Sequence, residues 1–358
     1  MAGAKHYPAE TIKRQIASIF AAWGMSGEHI AASVEVMVET DLRGIDSHGI
    51  AMMPLYSRLR AEGRLTMAPD IRVVRESAVT ALIDGGGGLG HAPSIRAMDL
   101  AISKATGAGL AAVAVRNSNH YGAAGIYALR AAERGLIGIA TTNVWKPSVV
   151  PTRSAQAMFG TNPIAFAAPA KRNPPFVLDM ATSTVAIGKL TIAWLNEKPI
   201  PEGWALDDDG RPTSDPVAAL ASRLLTPLGG TPQMSSHKGY GLAAMVEILS
   251  AMLSGADYAA TRAALAPEPE RYNVGHFFLA MNPAAFRAQG EFEAEVDDMV
   301  DALQRARPVD PAEPVLVPGD PELEARAWRV NEGIPVPDRL REQIEAIAQA
   351  AGAPFLLT

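Results

Sequence analysis

The spacing of apolar residues changes along this chain, and that change limits the folds open to it more than any other feature. Near the start, Ile12, Ile16, Ile19, Phe20 and Trp23 recur every three to four residues and Gly24 closes the run, which predicts an amphipathic helix. Ile30, Val34, Met37, Val38 and Leu42 repeat the pattern up to Gly44, and a third helical run covers 52–60. Beyond Pro69 the apolar runs shorten and are bounded by turn residues, the pattern of strands. Strands are predicted at 71–74, 79–83, 111–115, 137–142, 165–168 and 176–180, with helices at 93–106 and 123–134. The stretch 198–230 is rich in Pro, Gly and Asp and reads as loop, while 238–253 is an apolar helix. A last strand falls at 275–281, and helices at 293–305 and 338–348 close the chain.

This order predicts an α/β fold of the α+β kind. A helical part, 1–75, precedes a mixed α/β middle, 76–235, and a second helical part, 236–358, returns one strand near 275–281. The helical ends are expected to pack together as one discontinuous domain. A length of 358 residues suits two packed domains. The net charge of −6, with no basic cluster interleaved with aromatics, argues against a nucleic-acid partner. The absence of cysteine excludes disulfides, thiolate nucleophiles and thiolate metal sites. The polar stretch 1–10 lacks the apolar core of a signal peptide, and no apolar run approaches the roughly 18 residues needed to cross a bilayer. A cytoplasmic protein without a membrane partner is expected, and no metal site is read.

Gly85-Gly86-Gly87-Gly88-Leu89-Gly90 satisfies G-x-G-x-x-G after a predicted strand. A dinucleotide-binding Rossmann unit also needs an acidic residue about 20 positions on, and here the next strand ends Val113-Ala114-Val115-Arg116. A tight strand-to-helix turn is the better reading. No phosphate loop, zinc helix or nucleophile elbow is present. Ser47 and His48 are adjacent, so their side chains are expected to diverge rather than pair as nucleophile and base.

Four polar stretches interrupt the apolar chain: Arg43 to Gly49, Asn117 to Gly122, Asp179 to Ser183, and His237 to Gly241. Loops held by a scaffold are where sites concentrate. Carbonyl reduction needs a hydride donor, an acid with a pKa near neutrality and a cation for the substrate carboxylate. His48 and His120, each close to a glycine that admits a ligand, are candidates for the acid. Asp179 ends an apolar strand, where a carboxylate either caps a helix from Thr182 onward or orients a histidine. Lys238 opens an apolar helix, where the dipole opposes a cation unless an anion binds nearby.

Taken together, these stretches resemble the malate/L-lactate dehydrogenase family of the non-Rossmann type, whose members include sulfolactate and ureidoglycolate dehydrogenases and cyclic-imine reductases. The motifs are Asp46-Ser47-His48-Gly49, Asn119-His120-Tyr121-Gly122-Ala123-Ala124-Gly125, Gly160-Thr161-Asn162-Pro163, Asp179-Met180-Ala181-Thr182-Ser183, Ile200-Pro201-Glu202-Gly203-Trp204 and His237-Lys238-Gly239-Tyr240-Gly241. The match spans about 12–337. The resemblance implies a non-Rossmann cofactor domain in the middle of the chain, NAD or NADP as cofactor, a small-molecule substrate and a homodimer. By position, it implies His48 as proton donor with Ser47 hydrogen-bonding nearby, His120 as the second histidine that some members use as base, and Asp179 as an orienting group. Met180, Ala181, Thr182 and Ser183 would line the cofactor with Asp179, as would His237, Lys238 and the Gly319-Asp320-Pro321 turn. Met52, Asn143 and Thr161 would meet the substrate.

Relatives generally carry arginine where this chain has Met52. A thioether cannot hold a carboxylate, so the substrate is smaller in charge or is gripped elsewhere, with Arg43 and Arg58 as candidates. The expected activity is hydride transfer between the nicotinamide and C2 of a small 2-oxo or 2-hydroxy acid or cyclic imine acid. Two alternatives stand beside it. One is a non-catalytic, ligand-binding relative whose site has decayed at Met52; the other is a cofactor-free lyase or isomerase.

Overall fold

The computed structural model describes residues 4–264 and 271–358. Strand β1 (Ala4–Tyr7) leads into helices α1 (Ala9–Ala22) and α2 (Gly27–Leu42), the second capped by Ser26 Oγ accepting the His29 N–H. A short 3-10 turn, Ile50–Met52, opens α3 (Met53–Ala61). Strands β2 (Arg72–Glu76) and β3 (Thr80–Asp84) follow, then α4 (His91–Ala108), β4 (Leu110–Ser118), α5 (Gly125–Ala132), β5 (Ile137–Thr142), β6 (Ile164–Ala168) and β7 (Phe176–Met180).

The next stretch departs from the expected loop. Helix α6 (Ile187–Leu195) precedes a small sheet of β8 (Ala205–Leu206), β9 (Pro212–Thr213) and β10 (Leu224–Leu225), with α7 (Pro216–Ser222) among them. Two-residue strands are too short to show alternation, and Asp215 capping Val217 N–H starts α7 inside a Pro-rich segment.

Helix α8 (His237–Glu247) runs on through a π-type turn, Ile248–Met252. Then come α9 (Ala259–Ala264), β11 (Val274–Met281), α10 (Glu291–Gln304), α11 (Asp320–Glu332), β12 (Ile334–Pro337) and α12 (Asp338–Ala351).

The main sheet has seven strands in the order β2-β3-β4-β11-β5-β6-β7. Only β3 and β4 are parallel, joined through α4; all other neighbours are antiparallel. Small residues at Ala111, Ala140, Ala165 and Ala167 let α4 and α5 close onto one face of the sheet around Met98, Tyr127 and Phe278. This mixed sheet is not a Rossmann sheet. The six-residue glycine loop between β3 and α4 is a tight turn, as expected. A Cβ on Gly86 or Gly88 would meet Pro69 at 2.9 or 2.4 Å, so Pro69 occupies the side of the loop that a phosphate would need.

A second core joins the chain ends. Ile12, Ile16, Phe20, Met37, Met53 and Tyr56 pack with Ile334, Val336, Ile344 and Leu357. Strands β1 and β12 pair across the termini, and the Tyr7 hydroxyl donates to the Leu357 carbonyl at 3.0 Å. The segment 236–358 therefore divides. Its strand β11 and the apolar face of α10 pack with the sheet region, and β12, α12 and the tail join the helical core.

Candidate active site

The Asp46-Ser47-His48-Gly49 turn is held from below. Asp41, fully buried in α2, accepts the Ile50 N–H at 2.8 Å, and burial pushes its carboxyl up to about 8. Arg329 of α11 donates to the Asp41 carbonyl and to both oxygens of Asp46. Gly49 is required here: a Cβ would lie 1.8 Å from Asp41 Oδ1. Gly49→Ala is expected to cost about 1–3 kcal/mol through overpacking and to lower turnover by displacing the turn. An unchanged urea midpoint would count against this packing.

That turn brings Ser47 Oγ to 2.7 Å from His48 Nδ1, so the two side chains converge where the sequence suggested divergence. The cause is the tight turn: with both flanks pinned, adjacent side chains fold to one side. The hydroxyl fixes the ring and leaves Nε2 for a substrate. Burial lowers the His48 pKa, although the ring is only half-buried, so the shift reflects protein crowded around it rather than full removal from water.

His120 stands opposite, its ring centroid 5.4 Å from that of His48. The loop after β4 places it, with Asn119 Oδ1 accepting the His120 N–H. Both histidines line a cavity of about 540 Å³. Thr142, Asn143, Thr161 and Pro163 form another part of its wall, and Trp145 stacks on Tyr272 with centroids 4.6 Å apart. Asn143 is committed to the scaffold, receiving the Gly275 N–H and donating to the Asp257 carbonyl. Arg58, Arg64 and Lys146 are the cations lining the cavity. Arg64 donates to the Tyr272 hydroxyl at 2.7 Å and pairs with Glu62, while Lys146 has no polar partner among the described residues.

Behind His120 lies a buried polar cluster that the sequence did not flag. Tyr56 from α3, His91 at the start of α4 and His276 within β11 are all fully buried. Burial drives His91 and His276 down to about 3 and holds His120 well below the usual histidine range, with His48, His91 and His276 adding repulsion.

Asp179 accepts the Gly125 N–H at 2.7 Å and so caps α5, neither the helix expected from Thr182 nor a histidine. Gly125 permits this approach, since a Cβ would meet Asp179 Oδ2 at 2.9 Å. Protein crowding raises the carboxyl to about 6 against the opposing Gly125 N–H, with Glu322 adding to the rise. Asp179 remains solvent-accessible in its crevice.

The model of the malate/L-lactate dehydrogenase family matches residues 7–345. A malate dehydrogenase of Pyrococcus horikoshii is 38% identical over 98% of this chain and 96% of its own length. An L-sulfolactate dehydrogenase of Methanocaldococcus jannaschii is likewise 38% identical, over 96% of each. The crystal structure of malate dehydrogenase from Entamoeba histolytica superposes with a TM-score of 0.92 at 31% identity, covering 98% of this chain and 99% of that one.

The chain belongs to the malate/L-lactate dehydrogenase family. It is thereby an oxidoreductase of CH–OH groups that works with a nicotinamide cofactor. Within this dehydrogenase fold the remaining expected residues fall in five places. Asn143 and Thr161 line the cavity with both histidines, whereas Met52 packs against the helical core and is not among the lining residues. Thr182 donates to the Thr161 and Asn162 carbonyls and Ser183 to the Val185 carbonyl, so both hydroxyls tie the end of β7 to neighbouring loops; Met180 and Ala181 are half-buried beside them. His237 and Lys238 are exposed at the start of α8, outside the cavity lining.

The Gly319-Asp320-Pro321 turn docks on β7, where Val177 N–H donates to the Pro318 carbonyl and Asp320 accepts the Val317 N–H. Arg43 is also away from the cavity, paired with Glu39 at 2.8 Å, so of the two arginines suggested for the carboxylate only Arg58 lines it.

Proposed function

We propose that this dehydrogenase interconverts a small 2-oxo acid, or the related cyclic imine acid, and its reduced form, using NAD or NADP. The observation that carries the reading is the facing pair His48 and His120 in one cavity with Lys146, which has no polar partner among the described residues. A volume of about 540 Å³ falls in the ~300–1,000 Å³ range of small-molecule and cofactor sites, and the Trp145, Tyr272, Leu55 and Val144 side chains suit a nicotinamide ring beside a small acid.

The hydride for C2 of the substrate would come from a reduced nicotinamide held in this cavity. His48, its Nδ1 held by Ser47, delivers a proton from Nε2 to the C2 oxygen, which becomes the hydroxyl. Lys146 and Arg64 face the substrate carboxylate from the cavity wall. Asp179 orients the loop that carries His120 by capping α5 immediately beyond it. The stretch 179–183, His237, Lys238 and the 319–321 turn extend the cofactor surface beyond the cavity. Met52 packs into the helical core, so its identity does not mark a decayed site.

In this reading the middle of the chain, 76–235, with β11 returning into its sheet, is the cofactor domain, and 1–75 with β12, α12 and the tail form its partner. We read the chain as a homodimer, supported by large apolar side chains left exposed on α6 and at the end of α8: Ile192, Trp194, Leu195, Ile248 and Leu253. No helix among the described residues is long and apolar enough to cross a membrane.

The deciding assay follows the absorbance of NADH and of NADPH separately against a panel of 2-oxo acids and cyclic imine acids. Substrate-dependent oxidation of one cofactor is expected. Its absence across the panel with both cofactors would remove this reading.

A further inference from the structure

The His120 ring touches two groups whose polarity can be worked out. The Gly122 backbone N–H, a donor that cannot be reversed, points at His120 Nδ1 from 3.3 Å. The Tyr56 hydroxyl lies 2.8 Å from the same nitrogen. A protonated Nδ1 would oppose the Gly122 N–H directly, so Nδ1 carries the lone pair and the ring proton sits on Nε2. Tyr56 then donates to Nδ1.

The far side of Tyr56 gives the same answer independently. Its oxygen lies 3.4 Å from His91 Nε2, at the outer limit of a hydrogen bond. With the Tyr56 proton spent on His120, His91 Nε2–H donates into that oxygen, and His91 Nδ1 is left as a bare lone pair. His91 Nδ1 is buried and has no partner among the described residues. Were the chain to run the other way, His91 Nδ1 would be a buried N–H without an acceptor, the costlier outcome. Both ends select one polarity, running from His91 through Tyr56 to His120 and out at His120 Nε2–H, which has no bonded partner among the described residues and belongs to a cavity-lining ring.

We propose that Tyr56 is a positioning residue that locks His120 as the Nε2–H tautomer. His120 then enters the reaction as a hydrogen-bond donor to the C2 oxygen and leaves the proton transfer to His48. This assigns His120 a role other than base and rests on the reading that the C2 oxygen lies between the two rings. The low pKa imposed on His120 by burial and neighbouring histidines is consistent with a neutral donor.

Long-range ¹⁵N–¹H correlation spectra of histidine-labelled, cofactor-free protein at neutral pH test the tautomer without requiring turnover. The His120 signal, assigned by its loss in His120→Gln, is expected to show a pyridine-type Nδ1 and a pyrrole-type Nε2. A protonated Nδ1 overturns the proposal. In Tyr56→Phe, which removes only the hydroxyl, the His120 pattern is expected to move toward a mixture of tautomers. Turnover should fall about ten- to a hundredfold, with the KM for the nicotinamide cofactor unchanged. An unaltered His120 spectrum in that variant, or turnover within about twofold of wild type, also overturns it. If instead no 2-oxo acid is reduced by the wild-type protein, the proposed function fails while the tautomer remains readable.

Discussion

Replacing His48 by alanine is expected to lower turnover in 2-oxo acid reduction by about 10²–10⁴-fold, the usual worth of a positioned general acid. The imidazole is held on one side by Ser47 and lines the cavity. The effect should appear in turnover rather than in the KM for the cofactor. Burial lowers the His48 pKa, so its acid form in the free enzyme gains population only below the ordinary value of about 6.5. In wild type, kcat/KM for reduction should therefore rise as pH falls through that region. The reverse reaction needs the neutral ring and should hold its rate on the alkaline side. His48→Ala should abolish the acid-side rise. Turnover within about tenfold of wild type would remove His48 from the role.

The second large effect concerns a residue that touches no ligand. Glu247 and Arg262 form a buried ion pair at 2.6 Å, with side chains 1% and 3% exposed. The Glu247 carboxylate also receives Ala259 N–H and Asn162 Nδ2, and Asn143 Nδ2 lies 3.5 Å away. One carboxylate thus ties α8, the α9 segment and two loops together directly behind the cavity wall. Glu247→Met leaves a guanidinium buried without its counter-charge and is expected to cost about 3–5 kcal/mol. Replacing both partners by methionine should cost less than replacing the glutamate alone, because no charge is then stranded. Urea denaturation of the two single variants and the double variant checks this. A double variant less stable than Glu247→Met would show that the pair itself, and not the stranded charge, carries the stability.

How much of this was readable beforehand differs from residue to residue. Strands 137–142 and 176–180 match their observed bounds because turn residues bracket them: Gly135 and Asn143 flank the first, and Pro174-Pro175 precede the second. The His48 and His120 loops stood out as polar breaks next to glycines, and the structure brings both to one cavity. Tyr56 was silent: at helical spacing with Met53 it reads as ordinary core, and only tertiary packing turns its hydroxyl toward His120. His276 was hidden in the same way, inside a strand whose other residues are apolar. Glu247 did leave a signal, a single carboxylate within an apolar helical run, which a charge rarely occupies unless paired or capping, whereas Asp41 is masked by Glu28, Glu35 and Glu39 on the same helix. Helix α11 left none. It buries no residue completely, so it has no apolar stripe to read, although it supplies Arg329 beneath the His48 turn.

The position of β11 has a bearing on how the chain is made. Residues 274–281 occupy the middle of the main sheet, between strands formed by 110–118 and 137–142. During translation both of those neighbours emerge well before the strand that joins them. At ribosomal rates of about 5–20 residues per second, their facing edges wait on the order of ten seconds for it. Through that interval the nascent protein presents two apolar β edges with no native partner, the condition that favours mispairing and capture by chaperones. Cooperative assembly of the main sheet is accordingly a late event, begun only after residue 281 has left the ribosome.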